Sequence, residues 1–185
     1  METVAIQTFE PEVSFLKTAP AINGFLEGEK VNLAPRKFTR IIKSDPGNPA
    51  VDASFRLAYG TDFLYIMLEI EKEKFICRDR GYQNGDGMLL LLGAHQPGQK
   101  TTNEFMLFGF WPDSNIPGGV QKMLWCYNGI WPLSGVDDST KFFIRESRGH
   151  VIFELCLAWK DAFPYHPWLT ENIGFMEFGL PLLQR

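Results

Sequence analysis

The sequence is poor in cysteine and has no cysteine pattern that binds a metal. Its 185 residues include three cysteines, Cys77, Cys126 and Cys156, which are widely spaced. Neither a Cys-x-x-Cys pair nor a Cys/His ligand spacing is present, which argues against a zinc site. Cys126 and Cys156 lie inside apolar runs, where a free cysteine behaves as a small buried hydrophobe. A single disulfide is the alternative.

Blocks of like charge and long apolar runs are also missing. The 18 basic and 22 acidic residues are interspersed and give a net charge of −4, so we expect no nucleic-acid partner. No apolar run reaches transmembrane length, and we expect no membrane insertion. The first residues, METVAIQTFEPEV, lack the layout of a signal peptide. The chain is therefore expected in the cytoplasm, or outside the cell or in the periplasm if a signal has been removed.

Motifs of the common hydrolases are absent as well. The sequence contains neither a Gly-x-Ser-x-Gly elbow nor an HExxH helix. A glycosidase needs two carboxylates across a cleft. Glu69 and Glu71 fall on one face of a predicted strand, but a solvated strand face produces the same pattern. We predict that the protein is not an enzyme, with a glycoside hydrolase as the alternative.

The signal that is present is a period of two, bounded by turn residues. Apolar residues alternate over 51–57, which predicts a strand with one buried face. Gly60, Thr61 and Asp62 supply a turn, and 63–70 (FLYIMLEI) follows as a nearly continuous apolar strand. Together these segments predict a β-hairpin.

Further short apolar stretches lie between Gly, Pro and Asn turns. Helix signals are limited to one turn over 159–163 and an ambiguous segment over 33–43, which Pro35 interrupts. The pattern predicts an all-β, two-sheet β-sandwich of jelly-roll type, with 1–185 as one domain and residues 1–18 as an N-terminal arm. The other predicted strands cover 88–92, 104–111, 121–127, 141–146, 150–158 and 173–180.

Five segments, in order along the chain, resemble the family 9 carbohydrate-binding modules, a DOMON-like group. The resemblance implies a β-sandwich that binds sugars without cleaving them, such as xylan- or glucan-like polysaccharide or small sugars. It also implies structural Ca²⁺ and a partner enzyme held near its substrate. The segments are 20–27 (PAINGFLE), the hairpin 55–66, 85–89 (GDGML), 149–159 (GHVIFELCLAW) and 173–175 (IGF).

Two positions depart from the family pattern, and they keep other functions open. Leu89 stands where the family has an acidic residue that contacts sugar, and Tyr82 and Gln83 stand where it has a clamping Trp. One alternative is therefore a structural or protein-interaction sandwich that has lost the clamp. An exposed apolar patch away from the predicted sugar site would favour this alternative.

A haem-binding or redox sandwich is a further alternative. Related sandwiches bind haem through a Met and a His, and His150 begins a predicted strand. Methionine as core filler explains the same residues. The methionines on predicted strands are Met67, Met88, Met106 and Met123.

The predicted sugar site is a group of aromatic and polar side chains at loop tips. A sugar binder needs an exposed aromatic plane beside polar groups that fix its orientation. Trp111 and Trp131 are predicted to form this platform, and loops are where binding residues concentrate. The alternative is that Trp111 and Trp125 belong to the core. The remaining predicted ligand-binding residues are Tyr82, Tyr127 and Asn128.

Three carboxylates are candidates for a Ca²⁺ site, namely Asp86, Asp137 and Asp138. A hard cation takes six to eight oxygen ligands, commonly several carboxylates. No dense Asp-x-Asp-x-Asp loop occurs, and turn-forming aspartates are the alternative.

Overall fold

The computed structural model describes residues 13–37, 52–78, 85–94, 105–115, 120–126, 139–162 and 173–179. Strands dominate these ranges, and helix is confined within them to short 3-10 helices at Gly28–Asn32 and Trp159–Ala162. No described helix is long and apolar enough to cross a membrane. The strands are β1 (Ser14–Phe15), β2 (Arg36–Lys37), β3 (Ala53–Tyr59), β4 (Phe63–Glu71), β5 (Met88–Ala94), β6 (Phe105–Pro112), β7 (Val120–Cys126), β8 (Lys141–Ser147), β9 (His150–Ala158) and β10 (Ile173–Gly179).

The strands form two sheets, which confirms the predicted all-β fold. The larger sheet has the order β1-β3-β4-β9-β8, with β2 also paired to β3. The smaller sheet has the order β10-β5-β6-β7 and is antiparallel throughout. The predicted hairpin is β3 and β4, in register from Ala53 opposite Ile70 to Tyr59 opposite Leu64.

The main hydrophobic core lies between the two sheets. Alternate residues of β4, β5, β6 and β9 point inward, as the period of two requires. The aromatic rings of Phe110 and Phe142 stack across the core with centroids 5.1 Å apart. Removal of this apolar surface from water is the main stabilising contribution. Fully buried members include Leu64, Ile66 and Leu68 of β4, Phe153 and Leu155 of β9, Leu90 of β5 and Phe108 of β6.

A second apolar cluster covers part of the opposite, outer face of the larger sheet. Tyr65, Met67 and Cys156 of this face pack beneath Leu16 and Leu33. Both leucines belong to the segment 13–37, whose two ends pair with β3 as β1 and β2 and whose Leu16 and Leu33 cover part of the outer face. This arrangement divides the outer face into a covered part and a part that remains accessible.

Candidate ligand-binding surface

Trp111 is a packing residue in this structure. Its side chain has no exposed area, and its indole lies against two glycines. A Cβ added to Gly87 or to Gly109 would lie 2.0 Å from an indole carbon. The prediction that Trp111 is an exposed sugar platform is therefore wrong, and the alternative of a buried Trp111 agrees with the structure.

The other predicted sugar-site residues lie outside the described residues and stay predictions: Trp131, Tyr82, Tyr127 and Asn128. The same holds for two of the candidate Ca²⁺ ligands, Asp137 and Asp138.

Asp86 lies within the described residues, and it is hydrogen-bonded to Lys72 and Ile76. Its carboxylate accepts hydrogen bonds from the Lys72 ammonium and from the Ile76 amide, the latter at 2.6 Å, and the Asp86 amide donates to the Ile76 carbonyl at 2.8 Å. These contacts match the turn-forming role. Within the described ranges, no group of three or more His, Cys, Asp and Glu side chains could hold a metal ion.

The outer face of the larger sheet contains a fully buried carboxylate, that of Glu154 on β9. It accepts hydrogen bonds from the Lys30 ammonium at 2.8 Å and the Tyr65 hydroxyl at 2.7 Å. It also accepts from the amides of Asn23 and Gly24, at 2.8 and 2.6 Å. Because buried charges must be paired and hydrogen-bonded, this set of donors makes the charge tolerable.

Lys30 completes the network from the N-terminal segment. Its buried ammonium also donates to the Ala21 carbonyl at 2.8 Å. Burial, together with the hydrogen bond to Glu154, raises the pKa of Tyr65 well above its usual range, so the phenol stays protonated and donates. The consequence is that residues 21–30 are fixed to the sheet by polar bonds to a buried carboxylate.

Gly24 brings this segment into contact with β8. Its φ is +72°, a left-handed conformation that glycine adopts without strain. A Cβ at this position would lie 2.8 Å from the Cβ of Arg145 and 3.3 Å from the Phe143 ring. The adjacent Phe25 consequently lies over Arg145, whose guanidinium carbon is 3.4 Å from the ring centroid.

The result is an exposed aromatic pair with a guanidinium, here named the Phe25–Arg145–Phe143 surface. Phe25 is 49% exposed and Phe143 is 40% exposed. Arg145 is half-buried and forms no ion pair with any carboxylate in the described parts of the chain. Two of its three residues could have been found from the alternation along β8, because Phe143 and Arg145 share the face opposite the buried Phe142. The contact with Phe25 could not be read from the sequence.

The accessible face continues from Arg145 towards β4. Arg145 is in register with Ile152, and Ile152 with Glu69. The Glu69 carboxylate lies 3.6 Å from Arg56 and 3.5 Å from the His150 imidazole. Of the carboxylates on these strands, Glu154 is thus buried among four hydrogen-bond donors, and Glu69 lies near Arg56 and His150.

Two of the methionines considered for haem, Met88 and Met106, lie on the opposite side of the larger sheet from His150. Met88 and Met106 pack in the core between the sheets. His150 lies beside Glu69 on the other side of the larger sheet. Neither Met88 nor Met106 can therefore pair with His150, and both act as core filler. Met67 shares the outer face with His150 but is buried in the second apolar cluster, and the side chain of Met123 lies outside the described residues.

Neither a family model nor a curated protein matches the sequence. Two solved structures are similar, both of a family 9 carbohydrate-binding module from Caldicellulosiruptor kristjanssonii. The complex with cellotriose has a TM-score of 0.49 and 13% identity, over 80% of this chain and 67% of that one. The complex with glucose has a TM-score of 0.48 and 15% identity, over 79% of this chain and 66% of that one. The chain thus spans about two thirds of the length of each.

Proposed function

We propose that this protein binds carbohydrate without cleaving it and that the Phe25–Arg145–Phe143 surface contacts the sugar. The observation that carries the proposal is the pair of exposed aromatic rings, 49% and 40% accessible, with the Arg145 guanidinium against the Phe25 ring. Sugar rings present apolar C–H faces and hydroxyl edges. Aromatic planes suit the faces, and the fixed donors of Arg suit the hydroxyls.

The rigidity of the surface supports a binding role. Phe143 and Arg145 are on a sheet strand, and Phe25 directly follows the two amides that Glu154 holds. A side chain fixed before binding loses less conformational entropy when the ligand arrives. This saving in entropy matters most for weakly bound ligands such as sugars, because each of their contacts contributes little binding free energy.

The surroundings of two strand carboxylates, Glu154 and Glu69, support binding rather than hydrolysis. Glycoside hydrolysis needs one carboxyl group with a raised pKa and a second one across the scissile bond. Glu154 is buried beneath residues 21–30, and Glu69 lies 3.6 Å from Arg56 and 3.5 Å from the His150 imidazole. Glu154 is therefore inaccessible as half of such a pair.

The finer features of the function remain part of the proposal. Xylan- or glucan-like polysaccharide and small sugars are the proposed ligand classes, and a partner enzyme is the proposed context. Trp131, Tyr82, Tyr127 and Asn128 are proposed to add contacts at the loop tips. The proposal also includes a structural Ca²⁺ bound by Asp137 and Asp138.

The test is a glycan-binding screen followed by calorimetry. Xylan, glucan and mannan oligosaccharides are the ligands, with cellotriose and glucose included. Replacing Phe25 and Phe143 together with Ala should weaken binding about tenfold or more, because both stacking planes are lost. The control Phe15→Ala removes a ring that is 50% exposed at the β1 edge, and it should leave affinity unchanged.

One observation favours a second function, that of a protein-interaction module. Leu26 and Val31 of the N-terminal segment are 42% and 57% exposed, and a contiguous apolar patch that includes them would mark a protein interface. Val31→Ala separates the two functions. Sugar affinity should not change if Phe25 and Phe143 stack the ligand. A screen in which no glycan binds would reject the carbohydrate proposal and leave the protein-interaction module.

A further inference from the structure

We infer that the Phe25–Arg145–Phe143 surface selects saccharides that carry a carboxylate, as uronic acids do. The inference rests on the proposed carbohydrate-binding function and adds the class of sugar. It is carried by the charge of Arg145, which no described acidic side chain neutralises.

The other described cations towards the middle of this face have acidic partners. Lys30 is paired with Glu154 at 2.8 Å, and Arg56 lies 3.6 Å from Glu69. The acidic residue nearest to Phe25 in the chain, Glu27, accepts a hydrogen bond from the Asn23 amide group at 2.6 Å instead. Arg145 is therefore a local positive charge on a protein whose net charge is −4.

A second cation stands on the same face of β8. Lys141 is exposed and lies four residues before Arg145, so alternation places both on the outer face. Its partner in register is Cys156 of β9. The outer face at β8 thus carries two basic residues, which favours an anionic ligand.

The stacking of Arg145 leaves its hydrogen-bonding edge available. The Phe25 ring contacts the face of the guanidinium, 3.4 Å from the centroid to the central carbon. The N–H donors lie in the guanidinium plane, and their fork matches a carboxylate in a bidentate arrangement. Phe25 therefore orients the fork without occupying it.

The neighbouring Phe143 supplies the apolar contact that the same sugar needs. Its ring is exposed beside Arg145, and both side chains lie next to the backbone of Gly24. A uronic acid could place its pyranose C–H face on Phe143 and its carboxylate on Arg145. A neutral sugar could make only the first of these contacts.

The experiment compares trigalacturonate with its methyl ester, which keeps the skeleton and removes the charges. Calorimetry or NMR titration of the unmodified protein should show the acid binding about tenfold or more tightly, because hydrogen bonds between charged groups are the stronger ones. The preference should shrink as NaCl is added. This comparison needs no variant and does not depend on the folding of one.

Substitutions then assign the preference to Arg145. Arg145→Gln should remove most of it, while Arg145→Lys should keep only a part, because Lys has charge without the planar fork. Lys141→Gln removes the same charge from the same strand face and should preserve most of the preference.

Two outcomes would overturn the inference while leaving the proposed function intact. The first is equal affinity for the acid and the ester. The second is a preference for the acid that persists in Arg145→Gln. If neither these ligands nor any neutral glycan binds, the proposed function fails and the inference fails with it.

Discussion

Glu154 shows at the residue scale what the sequence could not reveal. The predicted strand 150–158 contains it, but nothing in the local pattern separates a buried carboxylate from a solvated one. Its partner Lys30 lies 124 positions away along the chain. Such a pairing follows from the fold and has no local signature. The same limit explains Trp111, whose burial depends on Gly87 and Gly109 lying beneath its ring.

The buried ion pair predicts a large loss of stability when one partner is removed. Lys30→Met leaves the Glu154 carboxylate buried without its counter-ion, and the free energy of unfolding should fall by about 3–5 kcal/mol. Urea denaturation measures this change. The control is Lys37→Met, which removes an exposed lysine from its ion pair with Asp52 and should cost about 1 kcal/mol or less. Similar losses in the two variants would contradict the role assigned to the pair.

Cys156 predicts a loss of stability at alkaline pH. Burial raises the pKa of its thiol from 9.0 to about 11. The neutral thiol is thus favoured in the folded state, and the unfolded chain loses this proton first as pH rises above 9.0. The contribution of the buried thiol to the free energy of unfolding is therefore fully present below pH 9.0 and is lost progressively up to about pH 11.

Comparing the wild type with Cys156→Ala isolates the thiol from the other groups that titrate in this range. Between about pH 8 and about pH 10.5, the free energy of unfolding of the wild type should fall by up to about 2 kcal/mol relative to that of Cys156→Ala. A difference that stays constant over this range would show that the thiol is not shielded from solvent.

At the scale of elements, the strand pattern was largely readable from the sequence. The hairpins β3–β4 and β8–β9 were both predicted, and their predicted bounds lie within two residues of those in the structure. The two-residue strands β1 and β2 were missed, because alternation needs several residues to be recognised. The ambiguous segment 33–43 contains β2. The short helix at 159–162 was predicted from the residues before Pro164.

The N-terminal segment predicts a contrast between two of its glycines. Gly24 and Gly28 both have positive φ, +72° and +58°. Of the two, only Gly24 lies against a strand, which is β8. Gly28→Ala should lower the free energy of unfolding by about 1–2 kcal/mol, because alanine is strained in the left-handed backbone conformation. Gly24→Ala adds a collision with Arg145 and should cost clearly more, which thermal or urea unfolding will measure. It should also weaken glycan binding by displacing Phe25, whereas equal effects of the two substitutions would refute this packing.

At the scale of the whole molecule, the outer face of the larger sheet is only partly covered. The larger sheet is covered in part by residues 13–37 and leaves Phe25, Phe143 and Arg145 accessible. The all-β class and the sandwich were predictable because many short strands of period two have few other solutions. The position of the candidate site was not, because it is assembled from an N-terminal loop and a strand more than 100 residues away.

The central claim is that sugars bind at the Phe25–Arg145–Phe143 surface, and ligand titration by NMR tests it most directly. Amide signals of the protein are followed as trigalacturonate and cellotriose are added in turn. The proposal predicts that at least one sugar shifts the signals of residues 23–26 and 143–146 in a saturable manner. It also predicts that Phe25→Ala combined with Phe143→Ala abolishes most of the shift. Saturable shifts confined to other parts of the molecule, or none with any glycan, would contradict it.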